Sequence, residues 1–246
     1  IEAPLVRTDI KVAEMVKYAD NCFHAIKVCF ANEIGNLCRE LGVPDSHKVM
    51  EIFCLDRQLN LSPYYLKPGF AFGGSCLPKD LRAIVRMSKE TGVECPVLSA
   101  AAPSNQIQIQ RAIDHVRNTG KRKVGVLGMS FKAGTDDLRE SPIVQVVGTL
   151  IGKGYELSIY DRNISWEALF GSNLGFLKHE LPYAETLKAE SVDEVLERSD
   201  VVVVANSAEE FKGVATKMRP DQVLLDLVRI VDDPSTVECE YIGIAW

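Results

Sequence analysis

The stretch that decides the fold is KVGVLGMSF, residues 123–131, a short β-rich run that turns at a glycine. Short apolar runs bounded by turn residues are typical of buried strands. The apolar stretch SPIVQVVGTLIGKG, residues 141–154, follows it and predicts a helix that ends at glycine. The two stretches together therefore predict a strand followed by a helix.

The same alternation continues beyond residue 154. Strands are predicted at YELSIYD and QVLLDLV, residues 155–161 and 222–228, and SVDEVLERSDVVVVAN, residues 191–206, contains a helix and then a buried strand. Strands that alternate with helices form right-handed βαβ units, which build a parallel sheet with helices on both faces. We therefore predict the α/β class, with a Rossmann-like, doubly wound parallel-sheet domain over residues 120–246.

The sequence before residue 120 predicts helices only. Apolar residues recur every three or four positions from Val12 to Leu41, which predicts one long helix over residues 10–41. Shorter helices are predicted near residues 47–55, 80–91 and 104–118. We therefore predict an all-α domain over residues 1–119, built on the long helix.

The composition excludes several classes of function. The 246 residues carry a net charge of −6, which provides no general basic surface for nucleic acid or for an anionic membrane. No apolar run approaches the roughly 20 residues that span a bilayer. The seven cysteines lack the paired spacing of a disulfide framework or a zinc site, so we predict reduced thiols and no metal. We expect a cytoplasmic protein with no nucleic-acid partner and no membrane partner.

The stretch FGGSCLPKD contains Cys76, which differs in its surroundings from the other six cysteines. Most cysteines are buried packing residues, and the other six, in helical or apolar contexts, are interpreted in that way. Gly73 and Gly74 permit close approach of a ligand to the backbone. Lys79 favours a thiolate nearby, and Asp80 can accept a proton or position a water molecule. Two interpretations of Cys76 remain open, a packing residue and a nucleophile.

A polar row lies nearly opposite the apolar stripe of the predicted long helix. The polar residues Lys17, Asn21, His24 and Asn32, together with Val28, fall within one narrow sector at 100° per residue. A solvated polar face is the common explanation, although such a face is normally richer in Glu, Lys and Arg. The alternative is a row of donors directed at a polar ligand.

The turn after the first strand gives weak evidence for a nucleotide. Its sequence GVLG, residues 125–128, has the spacing G-x-x-G and not the full dinucleotide fingerprint, so a tight turn and an NAD site remain equally open. Lys132 and Arg139 place positive charge near the carboxyl ends of the strands, where ligands of such sheets bind. Asp136 and Asp137 are assigned to a helix start, where their charge suits the helix dipole.

Three stretches of the sequence resemble one family, the UDP-glucose/GDP-mannose dehydrogenases. They are AEMVKYADNCFHAIKVCFANEIGNLC, YYLKPGFAFGGSCLPKD and GMSFKAGTDDLRESPIV, and the last two are most similar to the GDP-mannose 6-dehydrogenase branch. The resemblance implies an NAD-dependent four-electron oxidation of the C6 alcohol of a nucleotide sugar, here GDP-mannose to GDP-mannuronate for polymers such as alginate. It also implies that an N-terminal NAD-binding domain would precede Ile1, so we expect the 246-residue chain alone to form no NADH.

The resemblance implies covalent catalysis at Cys76. Its thiolate would attack the C6 aldehyde to give a thiohemiacetal, which is oxidised to a thioester that water hydrolyses. Lys17 and Asn21 match the residues that stabilise negative charge on the C6 oxygen. Asp80 matches the aspartate that assists the hydrolytic water.

Binding residues are implied by the same resemblance. Substrate contacts are implied for His24, Asn32, Tyr64, Tyr65, Lys67, Phe70, Gly73 and Lys132, and NAD contacts for Lys79 and Arg139. Lys67 departs from the GDP-mannose branch, which has an arginine that reaches the neighbouring subunit's site. Lysine keeps the charge but loses the two-pronged geometry, which leaves UDP-glucose 6-dehydrogenase as an alternative.

The resemblance implies a homodimer through the long helix of residues 10–41. The all-α domain would then be the central dimerisation domain, and the apolar stripe of the helix would pack on its twin. A non-catalytic module that binds a nucleotide sugar and dimerises is a further alternative to the enzyme.

Overall fold

A computed structural model of the protein describes residues 5–44, 46–62, 69–130, 134, 137–164 and 184–245. The described residues form two compact units, one within Ile1–Tyr65 and Arg82–Ala101, the other within Leu66–Leu81 and Ala102–Trp246. The segment that carries Cys76 therefore groups with the second unit. The predicted division between residues 119 and 120 stays a prediction.

The predicted long helix is confirmed as α1, Ile10–Glu40. Its apolar positions recur with the helical period, and Gly42 ends the helix at φ 69, a backbone conformation that glycine adopts without steric cost. Near its C-terminal end the helix buries Leu37, a stripe residue, and the neighbouring Cys38, whereas Leu41, just past the helix, is exposed. The described stripe residues from Val12 to Ile26 are exposed.

Three further helices follow α1. They are α2, Ser46–Phe53, α3, Leu77–Thr91, and α4, Pro96–Asn118. The predicted start of α4 near residue 104 is wrong, because the helix continues through Pro103, which removes only one backbone donor. None of the helices in the described part of the chain has the length and hydropathy that a membrane span requires.

The N-terminus of α4 is capped by Glu33 of α1, a residue only 6% exposed. Its Oε1 accepts a hydrogen bond from the backbone N–H of Val97 at 2.7 Å, and its Oε2 accepts one from Leu98 at 3.0 Å. The first N–H groups of a helix have no partner within the helix, and a negative charge is favourable at that end. Glu33 therefore explains why α4 begins at Pro96.

Replacing Glu33 with alanine is expected to lower the free energy of unfolding by about 2 kcal/mol, because it leaves two N–H groups without an acceptor. Urea unfolding followed by circular dichroism measures the change. Glu51→Ala is the matched control, since the Glu51 carboxylate only pairs with Lys48 on the surface of α2, and its loss is expected to matter by less than about 0.5 kcal/mol. Equal effects of the two substitutions would show that the cap contributes nothing.

The second unit contains a five-stranded sheet in which every pair is parallel. The strands are β1, Lys123–Leu127, β2, Glu156–Tyr160, β3, Val201–Val204, β4, Val223–Asp226, and β5, Glu240–Gly243, in the order β2-β1-β3-β4-β5. Helix α5, Pro142–Gly152, connects β1 to β2, and α6, Val192–Arg198, precedes β3. Strand β5 was not predicted from the sequence.

Both faces of the sheet are buried. Along β3, Val201 and Val203 belong to an apolar cluster with α4 and α5, whereas Val202 and Val204 belong to a second cluster that includes α6. Successive side chains of a strand point to opposite faces, so this division places helices on both sides of the sheet. The predicted doubly wound α/β architecture is confirmed.

The cysteines of the described residues divide into buried and exposed thiols. Buried free thiols belong to Cys38, Cys95 and Cys239, and exposed ones to Cys54 and Cys76, while the side chains of Cys22 and Cys29 lie outside the description. Burial raises the pKa of the Cys95 and Cys239 thiols, which favours their neutral form. The packing interpretation is confirmed for the three buried residues and is wrong for Cys54, which lies just past the end of α2.

Candidate active site

Cys76 immediately precedes α3, and its thiol is exposed. Its carbonyl oxygen accepts a hydrogen bond from the backbone N–H of Asp80 at 2.9 Å, so Cys76 is the N-cap residue of the helix. Because the N-terminal end of a helix carries partial positive charge, it stabilises an anion at the cap. The hydroxyl oxygen of Ser75 lies 3.8 Å from the sulfur. The structure thus places an accessible thiol where negative charge is stabilised.

Lys79 and Asp80 lie in the first turn of α3, within one helical turn of Cys76. Lys79 Nζ lies 3.4 Å from Asp80 Oδ1, and both side chains are largely exposed. An exposed pair of this kind contributes little to stability. A thiol, a carboxylate and an ammonium group are therefore all accessible at the start of one helix.

The loop before Cys76 carries two predicted substrate contacts, Phe70 and Gly73. Phe70 is half-buried and packs against the apolar cluster that α4 and α5 form with the sheet. A Cβ atom at Gly73 would lie 2.5 Å from the carbonyl oxygen of Glu140 and from Cδ of Pro142. The protein's own backbone therefore already excludes a side chain at Gly73, and room for a ligand is not needed to explain the glycine.

The strand order reverses between β1 and β3, since the chain moves from β1 to β2 on one side and then to β3 on the other. In open α/β sheets ligands bind at such a point, beyond the carboxyl ends of the strands. Gly128 follows β1 with φ 91, and a Cβ atom there would lie 2.5 Å from Nδ2 of Asn206, just after β3. Close packing on Asn206 thus requires the second glycine of GVLG.

The backbone amides that follow Gly128 are paired within the protein. The buried Asp161 carboxylate, at the end of β2, accepts hydrogen bonds from the N–H groups of Met129 and Ser130 at 2.9 and 3.2 Å. It also accepts the Ser130 hydroxyl at 3.2 Å. In a dinucleotide-binding turn such amides face the pyrophosphate. The pairing with Asp161 favours the tight-turn interpretation over an NAD site in this sheet.

A cavity of about 170 Å³ lies at the carboxyl edge of the sheet. It is lined by Phe70, Ala71, Ser130, Ser141, Pro142, Ile143, Ala205 and Val228. Ligand pockets commonly enclose about 300–1,000 Å³, so this cavity matches one part of a ligand and not a whole nucleotide sugar. Its apolar lining with two serine hydroxyls suits a group that is partly polar.

Arg139, a predicted NAD contact, is oriented by Asp137. Its Nε and Nη2 donate to the two carboxylate oxygens at 2.8 Å each, and its backbone N–H donates to Oδ1 at 3.0 Å. These hydrogen bonds, with the guanidinium charge, lower the pKa of the Asp137 carboxyl. The helix-dipole interpretation of Asp137 is wrong, because α5 begins only at Pro142, and Asp136 lies outside the described residues.

The lowered pKa of Asp137 predicts a loss of stability in acid. A carboxyl whose folded-state pKa is lowered contributes stability that is present above its unfolded pKa of about 3.9 and is lost as the pH falls through the folded value. We expect the difference in unfolding free energy between wild type and Asp137→Asn to be constant from about pH 7 to pH 5 and to shrink below about pH 4. Urea unfolding at a series of pH values tests this, and an undiminished difference at about pH 3 contradicts it.

Arg229 is a candidate ligand-binding residue that the sequence analysis missed. It is exposed in the loop after β4, at the carboxyl edge of the sheet, and adopts φ 58, an uncommon conformation for a residue with a side chain. Asp226 holds this loop by accepting hydrogen bonds from the N–H groups of Val228 and Val231 at 3.0 and 3.2 Å. A basic residue directly beyond a predicted strand was the signal that could have identified it.

The remaining predicted site residues have no described side chains. Lys17, Asn21, His24 and Asn32 all fall within α1, so their positions share one helix face, but their side chains lie outside the description. Tyr64, Tyr65, Lys67 and Lys132 lie outside the described residues altogether. Their predicted roles stay predictions.

Two family models match the chain over most of its length. Residues 11–107 match the central domain of the UDP-glucose/GDP-mannose dehydrogenase family, and residues 125–233 match the UDP binding domain of the same family. The chain belongs to this family. The resemblance inferred from the three sequence stretches is confirmed.

Relatives within the family include dehydrogenases for two nucleotide sugars. A GDP-mannose 6-dehydrogenase from Pseudomonas aeruginosa is 47% identical over all 246 residues, which cover 56% of that protein. The UDP-glucose 6-dehydrogenase AglM from Haloferax volcanii is 35% identical. That match covers 93% of this chain and 51% of AglM. The chain spans about half the length of the curated relatives it matches.

Solved structures of the family share the fold. A ternary complex of GDP-mannose dehydrogenase from Pseudomonas aeruginosa has a TM-score of 0.92 with this chain at 47% identity. The match covers all of this chain and 56% of the chain in that structure. A UDP-glucose dehydrogenase from Pyrobaculum islandicum has a TM-score of 0.62 at 31% identity. The match covers all of this chain and 54% of the chain in that structure. The structural match is therefore higher with the GDP-mannose enzyme than with this UDP-glucose enzyme.

Proposed function

We propose that the protein is an NAD-dependent nucleotide-sugar 6-dehydrogenase that oxidises the C6 alcohol of GDP-mannose to the carboxylate of GDP-mannuronate. The observation that carries this proposal is the accessible thiol of Cys76 at the N-terminus of α3, with Lys79 and Asp80 in the same turn. The 47% identity with the Pseudomonas aeruginosa GDP-mannose 6-dehydrogenase supports it.

Cys76 retains the half-oxidised sugar. The first oxidation removes a hydride and a proton from the C6 alcohol and leaves an aldehyde. The sulfur then adds to the C6 carbon, and the carbonyl oxygen takes up a proton to give a thiohemiacetal. The second oxidation removes a hydride from C6 and the hydroxyl proton, which leaves a thioester. Water attacks this carbon, breaks the C–S bond and releases the carboxylate and the free thiol.

Other residues of the chain assist these steps. Lys17 and Asn21, one turn apart on α1, are assigned to the C6 oxygen, where they stabilise the negative charge that develops. Asp80 is assigned to the hydrolytic water, since an exposed carboxylate one turn from Cys76 can accept its proton. The sugar nucleotide is assigned to His24, Asn32, Tyr64, Tyr65, Lys67, Phe70, Gly73 and Lys132.

In this chain, cationic side chains are better placed to bind the implied cofactor NAD than the backbone amides after β1 are. Arg139 presents a guanidinium oriented by Asp137, and Lys79 is exposed, so both suit a contact with the pyrophosphate. The amides after β1, in contrast, are paired with Asp161. When bound, NAD supplies the hydride acceptor for each of the two oxidations.

Two observations make UDP-glucose a second candidate for the substrate. Lys67 replaces the arginine of the GDP-mannose branch, and the Haloferax volcanii UDP-glucose 6-dehydrogenase is 35% identical. We expect kcat/KM of the full-length protein for GDP-mannose to exceed that for UDP-glucose on the order of 100-fold. The reverse preference would assign the protein to the UDP-glucose branch, and turnover of neither sugar would favour the binding module.

The proposed enzyme is a homodimer through α1. From Val12 to Ile26 the described residues of the apolar stripe are exposed, by amounts that range from 39% at Phe23 to 56% at Val16. A contiguous exposed apolar patch marks a protein–protein interface, and a second copy of the same helix offers a complementary apolar face. Burial of this stripe against its twin explains why it is apolar.

A cytoplasmic location is part of the same proposal. The five cysteines whose side chains the structure describes are free thiols, which is typical of proteins in a reducing compartment. The net charge of −6 also suits a protein without a nucleic-acid partner.

A further inference from the structure

Two side-chain amides attach the loop of residues 69–75 to α4. Asn105 pairs with both backbone groups of Phe72: the Phe72 N–H donates to Oδ1 at 2.8 Å, and Nδ2 donates to the Phe72 carbonyl oxygen at 2.9 Å. Nε2 of Gln108 donates to the carbonyl oxygen of Gly69 at 2.6 Å. Residues three apart lie on the same face of a helix, so Asn105 and Gln108 hold the loop at two points from one surface.

The other side of the loop contacts the turn before α5. Gly73 lies against the carbonyl oxygen of Glu140, where an added Cβ atom would be 2.5 Å away. Glu140 itself has φ 51, a conformation that is unfavourable for a residue with a side chain and persists only where surrounding contacts determine it. Gly74 is buried at φ 86. The loop is therefore held between α4 and the turn that carries Arg139.

The position of the Cys76 sulfur depends on this backbone. The thiol is exposed, so packing around the side chain does not hold it. On its C-terminal side the Cys76 backbone is fixed by the first turn of α3, through the hydrogen bond from the Asp80 N–H. On its N-terminal side it continues into the loop that Asn105 holds by hydrogen bonds to Phe72. A side chain that fixes Phe72 thus also limits the movement of the sulfur.

We propose that Asn105 and Gln108 are positioning residues for Cys76. The proposal rests on the nucleophilic role proposed for Cys76 above. The Asn105 side chain provides both a donor and an acceptor to the Phe72 backbone, as a neighbouring strand would. Gln108 holds the start of the loop on α4 through its hydrogen bond to Gly69. Misplacement of a reacting group by about 1 Å lowers the rate on the order of 10²-fold, so a loop held at both ends is needed for the covalent step.

The test compares Asn105→Ala and Gln108→Ala with a matched control, Gln106→Ala, in the full-length protein. Gln106 lies between the two on α4 and is exposed, so its loss leaves the loop contacts intact. We expect backbone amides of residues 69–76 to exchange hydrogen about tenfold faster in Asn105→Ala, while the amides of β1 and β3 keep their rates. We expect kcat to fall on the order of 10²-fold in Asn105→Ala and less in Gln108→Ala, with KM for the nucleotide sugar nearly unchanged.

Three results would overturn the inference. One is unchanged exchange in residues 69–76 of Asn105→Ala, and another is equal acceleration of the loop and the sheet, which would indicate a general structural role. The third is an unchanged kcat in an active protein, which would separate the loop from catalysis. A wild-type protein that forms no NADH would instead refute the proposed function itself, so the two failures are distinguishable.

Discussion

Replacing Cys76 with alanine is expected to abolish the formation of the carboxylate product, GDP-mannuronate, by the full-length protein. Without the sulfur no C–S bond forms, so the aldehyde of the first oxidation is not retained and cannot become a thioester. Loss of a catalytic nucleophile lowers kcat on the order of 10⁴-fold or more. Chromatography of the sugar nucleotides during steady-state turnover measures how much carboxylate is formed.

Cys54→Ala is the matched control for this experiment. Cys54 is the other exposed thiol among the cysteines whose side chains are described; it lies just past the end of α2 and is none of the residues assigned to the reaction. The control variant is expected to form GDP-mannuronate at the wild-type rate. Cys76→Ser is expected to be as inactive as the alanine variant, because an unassisted hydroxyl is a much weaker nucleophile than a thiolate. Formation of GDP-mannuronate by Cys76→Ala above about one hundredth of the wild-type rate would refute covalent catalysis.

A charge placed on the apolar stripe of α1 is expected to dissociate the proposed homodimer. Ile26 is 51% exposed in the single chain, and Ile26→Glu would bury an unpaired carboxylate from each copy in the interface. Burying an unpaired charge costs several kcal/mol, and a loss of about 4 kcal/mol raises the dissociation constant about 1,000-fold. Light scattering at micromolar concentration is expected to give a dimer for wild type and a monomer for the variant.

Lys11→Glu separates this effect from a general effect of negative charge on α1. Lys11 is exposed and belongs to the first turn of the helix, outside the apolar stripe, so this variant is expected to remain a dimer. A monomeric wild type, or a dimeric Ile26→Glu, is the outcome that rules out α1 as the interface.

The elements that depend on local pattern could be predicted from the sequence. Helix α1 repeats its apolar positions with the helical period over its whole length, and strands β1 to β4 are apolar runs that end at turn residues. Strand β5 could not be predicted in this way, because Glu240–Gly243 is a short run with no fully buried residue. Its place in the sheet depends on pairing with β4, a contact that the run itself does not encode.

Features that depend on distant contacts could not be predicted either. The start of α4 is determined by Glu33, which is 64 positions away from its partner Val97. In the candidate site, Cys76, Lys79 and Asp80 are neighbours in sequence and could be found together. Asn105, in contrast, is 33 positions from Phe72, so its part in holding the loop is visible only in the folded chain.

The stoichiometry of NADH formation tests the central claim most directly. A limiting amount of GDP-mannose would be converted completely by the full-length protein with excess NAD, and the NADH formed would be counted per sugar. Retention of the aldehyde on Cys76 predicts two NADH for each GDP-mannose, with GDP-mannuronate as the product and no free aldehyde. One NADH per sugar together with an aldehyde in solution would contradict the account.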